Sequence, residues 1–491
     1  MKYGWLVIAV FAARFLATAI VYPAGDGDLA WQRWLGATIA RTGAIPRSLG
    51  GETFSAPGAP WLPQEWAFSL LAHLARSGIA WDMFAGMVAL CAVAALGIAG
   101  LQAQARGASP RTLALLIAFA GFALFESFGV RAQVLAWPLI AAYLWLLEIE
   151  GPWAFAALGV AALWSNLHAS AMLAPVLAGL FTIGSALDER GIGKRTQRLA
   201  LIAVGSVAAI CCNPFGWHLP AYAIGLFASP IKTYITEWKV TDIDDLSFAF
   251  GALPLLLIGM LAGARDKGRR GRDGFVLIGF AFLVLSAARN VPIFAIAALP
   301  IVAPAFSRAF GWFAAAPPKP LLRSDRLAAF ALPVSALALA AIVAVQLVRT
   351  APPPANLANA PLEALADVPG EHRLFCADFA WCGLTVGAPN VRVFLDGRAD
   401  PYPIAVWRDF ASVVRLDGLW RVTLDRRGVD AVLVAKDSAL DQALSAGRGW
   451  RVNYADKTYR LWLRVAAPSQ QRFLSAREAR LDPPRRIIRR T

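Results

Sequence analysis

Apolar residues run along this chain in blocks of roughly 20, the length that crosses the hydrocarbon core of a bilayer, with short polar stretches between them. The blocks lie near 4 to 23, 82 to 104, 111 to 128, 131 to 148, 152 to 166, 169 to 187, 196 to 213, 248 to 264, 274 to 290, 291 to 308 and 327 to 348. They predict a mainly α-helical, polytopic transmembrane bundle of about 11 spans over residues 1–349. Three neighbouring pairs, around Gly129, His168 and Asn290, are so closely spaced that a tight hairpin and one long kinked helix read alike.

Beyond the last block the pattern changes. Residues 350–360, APPPANLANAP, form a Pro/Ala linker that favours extended backbone. From 361 to 466 short β-rich runs (RLFCA, VRVFLD, DAVLV, YRLWLRV) alternate with helix-compatible stretches (PIAVWRDFASVV, SALDQALSA). They predict a small α/β domain, with DGRADPYP in an exposed loop after a central strand. Residues 467–491 are an Arg-rich tail, read as disordered or lying on anionic lipid.

Composition agrees with a lipid environment. The chain is 58% hydrophobic and 16% charged, with mean hydropathy +0.54, more apolar surface than a soluble core of this length hides. A net charge of +15 raises the question of nucleic acid. The Lys and Arg residues, however, sit between apolar blocks, in DERGIGKRTQR and RDKGRRGRD, whereas the opposite connections NLHAS and ESFGVR carry one Arg between them. The charge is read as topological, nucleic acid is excluded as a partner, and the N-terminus is placed in the cytoplasm. Loops 24–80 and 213–247 and everything after Arg349 then face the periplasm of an inner membrane. The first block lacks a small-residue cleavage site and is followed by an acidic loop, so it stays as a span. Of the five cysteines, Cys376 and Cys382 lie clear of the blocks, where a periplasmic disulfide is allowed.

No nucleophile elbow, phosphate loop, HExxH or paired CxxC occurs. The chemical signal is positional. With this topology the polar residues near helix ends collect on one side, among them Asp26, Asp28, Gln64, Glu65, Glu126, Arg131, Asn166, His168, Glu237, Arg289 and Asn290. Ionisable groups at membrane depth are costly and mark function. The first loop, GDGDLAWQRWLGATIARTGAIPR, sets two carboxylates before an amphipathic helix whose Leu29, Trp31, Trp34, Leu35 and Ile39 suit a membrane interface. Asp28 is expected to cap that helix. One cap needs one Asp, so the other carboxylate points to a site, as general base or as ligand of a divalent cation such as Mg or Mn. FSAPGAPWLPQEW leads into a second interfacial helix from Trp66 to Ala75. Trp61, Trp66, Trp164, Trp217 and Trp238 fit an interfacial aromatic belt or a sugar-stacking role.

The order of an apolar first span, an acidic D-x-D loop, an interfacial helix ending in Gly, FSAPGAPWLPQEW, LWSNLHAS, CNPFGWHLP, TEWKV and VFLDGRADPYP resembles the large bacterial branch of the GT-C glycosyltransferase superfamily. The resemblance covers nearly the whole chain. It implies a multi-spanning enzyme that takes a sugar from a polyprenyl-phosphate donor, with a carboxylate of the first external loop as catalytic base, here Asp26 or Asp28. Many relatives have adjacent acids at this place, whereas Gly27 separates them here, and both residues stand as candidates. Such a transferase needs donors for an anionic phosphate at the membrane surface, which nominates Arg131, Arg289 and His168 as cations. Glu65, Asn166 and Glu237 complete the expected substrate contacts.

The reading is a glycosyltransferase moving a hexosyl or pentosyl unit from the lipid-linked donor to a periplasmic or lipid-linked glycan acceptor, with inversion. A transporter and a non-catalytic scaffold of envelope glycan assembly are the rivals. Convergence of Asp28, His168 and Arg289 favours the enzyme, and scatter favours the scaffold.

Overall fold

The computed structural model describes residues 1–21, 26–75, 78–266, 271–311 and 359–465. They form two compact units, and the chain visits the second one twice. Met1–Ser48 and the described residues from Pro60 to 311 make a helical bundle; Leu49–Ala59 joins residues 359–465 in an α/β unit.

In the bundle, α1 (Lys2–Val21) is followed by two shorter helices, α2 (Gly27–Thr42) and α3 (Trp66–Leu74), then by α4 (Gly78–Ala105), α5 (Pro110–Phe125), α6 (Ala132–Glu148) and α7 (Ala156–Ser165). Next come α8 (Leu173–Asp188), α9 (Lys194–Ala209), α10 (His218–Ala228), α11 (Leu253–Arg265), α12 (Gly271–Ser286) and α13 (Val291–Ala309). Ten of the eleven predicted blocks are therefore helical; the eleventh, 327 to 348, lies outside the described residues, as does the tail 467–491. At each of the three ambiguous pairs the helix breaks: Phe125 to Ala132, Ser165 to a 3-10 turn at Ala169, and Ser286 to Val291. The loop 213–247 is more ordered than its polarity implied, carrying α10 and a short turn at Thr236–Trp238.

Five helical stretches among the described residues are long and apolar enough to cross a membrane: Tyr3–Ile20, Gly78–Ala105, Ala169–Asp188, Phe248–Arg265 and Ala288–Ala309. Pro110–Phe125, Ala132–Glu148 and Pro152–Ser165 are apolar but shorter. Helix α13 is apolar all round and buried on nearly every side, packing on α4, α5, α6, α11 and α12. Local signals set the boundaries: Gly107, at φ +95, follows α4, and Ser109 accepts from the Thr112 amide while Pro110 opens α5.

Where α6 ends, charge is used structurally. Glu148 takes Arg272 at 2.8 Å, Arg195 at 3.5 Å and Arg106 at 3.8 Å, and Arg106 also pairs with Asp273. Arg272 is 1% exposed. Part of the basic charge read as topological is thus held in buried ion pairs.

The second unit is a five-stranded sheet in the order β2-β1-β3-β5-β4. Its strands are β1 (His372–Cys376), β2 (Val391–Val393), β3 (Ala431–Ala435), β4 (Trp450–Ala455) and β5 (Tyr459–Arg464). β2, β1 and β3 run parallel, and β5 and β4 complete it antiparallel. The sequence reading does not mark β4, WRVNYA, an edge strand of which no residue is fully buried. A helix already begins at Asn359, inside the segment expected to be linker. Cys376 and Cys382 form a disulfide, Cα to Cα 5.9 Å.

DGRADPYP departs from expectation twice. It follows β2, an edge strand rather than a central one, and its Asp396 and Arg398 are buried rather than exposed. The edge is covered by the visiting segment: Phe54 N donates to Val393 O, Val393 N donates to Glu52 O, and Thr53 Oγ1 donates to Val393 O. Arg398, with no side-chain exposure, reaches Asp396 at 2.6 Å and Glu52 at 2.7 Å, and the Tyr402 hydroxyl donates to Asp396. A buried guanidinium needs such partners on both sides.

Candidate active site

Helix α2 positions the first-loop acids, and here the structure corrects the expected cap. The cap is Asp26, whose carboxylate accepts from the Asp28 and Leu29 amides. Asp28 lies in the first turn, where its Oδ1 accepts from Trp31 Nε1 at 3.3 Å. Gly43, at φ +67, ends the helix. Its buried face, Leu29, Trp31, Gln32, Leu35, Gly36 and Ile39, packs on α3. The crossing is so close at Gly36 that a Cβ there would overlap the Ser69 carbonyl.

Arg131 is the hub. It precedes α6 with extended backbone and makes no capping bond. Its guanidinium contacts Glu237 at 2.7 Å, Asp28 at 3.2 Å and Asp26 at 4.0 Å. A cation at a helix N-terminus opposes the macrodipole, and three carboxylates compensate it. Asp26 Oδ2 is buried with no hydrogen bond, so Arg131 is its electrostatic partner. Burial pushes the Asp28 carboxyl up to about 6; Arg131 opposes that rise, while Asp26 and Glu237 add to it. Burial also acts to raise Glu237, but Arg131 and Arg289 outweigh it and hold the carboxyl below its ordinary value.

A second group lies beside the first. Glu65, at the start of α3, accepts from Gln32, which accepts from Ser69, and its Oε1 is 3.6 Å from His168 Nε2. Gln64 accepts from the Ala169 amide, so the QE pair of WLPQEW holds the LHAS turn. His168 Nδ1 accepts from the Ser170 amide, which leaves the proton on Nε2, facing Glu65. Burial first, and Arg289 second, drive the imidazole down to about 3. It is neutral at physiological pH, in contrast to the cationic form expected of it. Arg289 stacks on Trp238, 4.3 Å from the ring centre, and its charge acts on both His168 and Glu237.

Asp26, Asp28 and Glu237 therefore gather on Arg131, Glu65 pairs with His168, and the charge of Arg289 acts on both groups. Asn166 is not among them: its amide donates to the carbonyls of Ala162 and Cys212, tying α7 to the end of α9. The sequence reading did not single out Gln32 and Ser69, which look like ordinary helix polar residues; their spacing from Gly36 and Glu65 was the available signal. Among the described residues no three His, Cys, Asp or Glu side chains are arranged to hold a metal ion. The donor set fits a guanidinium instead, since the three acids converge on Arg131.

No family model and no curated protein sequence matches the chain. Solved structures do. An archaeal oligosaccharyltransferase, AglB from Archaeoglobus fulgidus, in complex with an inhibitory peptide and a dolichol-phosphate, superposes with TM-score 0.55 at 13% identity, over 88% of this chain and 69% of that one. ArnT from Cupriavidus metallidurans bound to undecaprenyl phosphate gives 0.52 at 16%, over 94% and 98%. The arabinofuranosyltransferase AftD from mycobacteria gives 0.52 at 17%, over 94% of this chain and 42% of that one. The chain shares the fold of these three structures.

Proposed function

We propose that this chain is an inner-membrane glycosyltransferase that moves a sugar from a polyprenyl-phosphate donor to a periplasmic or lipid-linked glycan acceptor. The observation that carries the reading is Asp28: a carboxylate with a raised pKa, freed from capping, beside an arginine and within a fold shared with enzymes solved with dolichol-phosphate and undecaprenyl phosphate. A carboxylate titrating near 6 is ionised at neutral pH and basic enough to accept a hydroxyl proton as the transition state forms.

In the proposed reaction Asp28 takes the proton of the acceptor hydroxyl, whose oxygen attacks the anomeric carbon. The bond from that carbon to the phosphate oxygen breaks on the opposite face, so the centre inverts. The polyprenyl phosphate leaves with the electron pair, and Arg131 and Arg289 receive its charge. Glu65, Gln32 and neutral His168 offer hydrogen bonds to sugar hydroxyls. The oligosaccharyltransferase has also been solved with Zn and sulfate; the donor set here fits Arg131, and no step is routed through a metal.

Asp28→Asn tests the assignment. The cap is Asp26, and Asn retains an oxygen for Trp31, so the fold is spared. Purified protein in detergent, given labelled membrane lipid extract, should lose about 100-fold to 10,000-fold in transfer rate. Near-wild-type transfer by this variant would show that Asp28 is not the base.

A further inference from the structure

The α/β unit carries a second cleft that the transfer site does not use. It lies between the helix Trp420–Arg427, the turn at Gly447–Gly449 and the facing strand residues Trp450 and Arg464, with a cavity of about 110 Å³. Three guanidinium groups line it, from Arg421, Arg448 and Arg464, against one carboxylate, Asp425. Two indoles, Trp420 and Trp450, stand in the same lining.

The cations are only partly committed. Arg464 donates through Nε to Val429 O at 2.9 Å and through Nη1 to Asp425 at 2.6 Å, but its Nη2 is buried with no hydrogen-bond partner among the described residues. Arg421 donates to Ala443 O at 3.2 Å. Exposed Arg448 adds a third positive charge at the rim. Each tryptophan is half-buried and has an arginine over one face, Arg464 4.6 Å from the centre of Trp450 and Arg421 4.9 Å from that of Trp420. At the turn, Gly449 sits at φ +103, where a side chain is strained.

We infer that this cleft binds an anionic saccharide, a sugar unit bearing a carboxylate or a phosphate. Indole surfaces suit the C–H faces of a pyranose, and guanidinium forks suit its anionic group. The volume is well below the roughly 300 Å³ at which drug-sized pockets begin, so the cleft suits a small occupant. The inference does not depend on Asp28 or on transfer.

The test is calorimetric titration of the full-length protein in neutral detergent with trigalacturonate, maltotriose or inorganic phosphate. Trigalacturonate should bind, with maltotriose and phosphate at least about tenfold weaker, and Arg448→Glu and Trp420→Ala should each weaken it by about tenfold or more. Arg448 is exposed, so its variant folds even if Trp420→Ala does not. Equal binding of maltotriose, or of phosphate alone, overturns the inference, as does an Arg448→Glu protein that binds trigalacturonate undiminished. Because binding is read without transfer, an inactive Asp28→Asn protein should still bind, which separates failure of this proposal from failure of the catalytic one.

Discussion

Replacing Arg131 with Gln should change the pH dependence of transfer in a direction fixed by the geometry. In the wild-type protein the ionised base is lost as pH falls through the Asp28 pKa, so the acid limb of kcat/KM is expected near 6. Arg131 stands 3.2 Å from Asp28 and works against the rise caused by burial. An opposite charge this close lowers a carboxyl by about 1 to 3 units. Both side chains are roughly 30% exposed, 32% and 28%, and solvent screening favours the low end, about one unit. Removing the cation while burial, Asp26 and Glu237 remain should therefore move the acid limb up by about one pH unit, leaving about a tenth of the ionised base at acidic pH. Transfer should recover as pH is raised, apart from a lasting loss in kcat/KM if Arg131 also receives the donor phosphate. Rates measured from pH 5 to 9 decide it. An acid limb that stays put or moves down would refute Asp28 as the titrating base or Arg131 as its electrostatic partner.

Three further outcomes follow from packing and charge. Gly36→Ala forces α2 away from the Ser69 carbonyl and should cost about 1 to 3 kcal/mol by overpacking, read as a lower unfolding temperature in detergent together with lost transfer; an unchanged melting curve would contradict the close crossing. Glu148→Ala leaves buried Arg272 with Asp273, at 3.5 Å, as its one ion-pair partner among the described residues, and should destabilise by about 3 kcal/mol, the low end for a broken buried pair, on the same thermal assay. Alkaline phosphatase fused after Arg349 should be active in a periplasmic orientation, and a stable but silent fusion would reverse the topology.

How much of this was readable in advance depended on whether the relevant force is local. Apolar length and the Gly, Pro and Ser boundary signals are local, and the ten blocks that fall within the described residues are helices. The acids and the arginine that pair in the structure, Asp26, Asp28, Glu237 and Arg131, were also legible, because an acid or arginine beside an apolar block is conspicuous wherever it points. What failed was assignment at single-residue resolution. Asp26 and Asp28 are both good caps by type, and only the backbone at Asp26, φ −83 and ψ 107, decides which one is used. His168 was read as a cation because its residue type permits it, whereas burial and Arg289, both products of the tertiary fold, keep it neutral. Asn166 has the right type and neighbourhood but spends its amide on two carbonyls.

The hardest feature to see was the short visit of Leu49–Ala59 to the α/β unit. Its polar residues read as surface turn because no run of eleven residues shows what covers it. Within the unit, Glu52 supplies the second acid around Arg398, while the Thr53 hydroxyl and the backbone on either side of it complete the edge of β2. A parallel edge strand of three residues exposes ladder groups that would otherwise pair with another chain, and a buried arginine with one partner is costly. The visiting segment answers both needs at once. It also explains why FSAPGAP and VFLDGRADPYP, more than 300 residues apart, occur together in one chain: each completes the other's hydrogen bonding. The same segment lies between α2, which carries Asp28, and α3, which carries the Glu65 side of the cluster. The polypeptide that closes the edge of the sheet is therefore continuous at both ends with the polypeptide that builds the site.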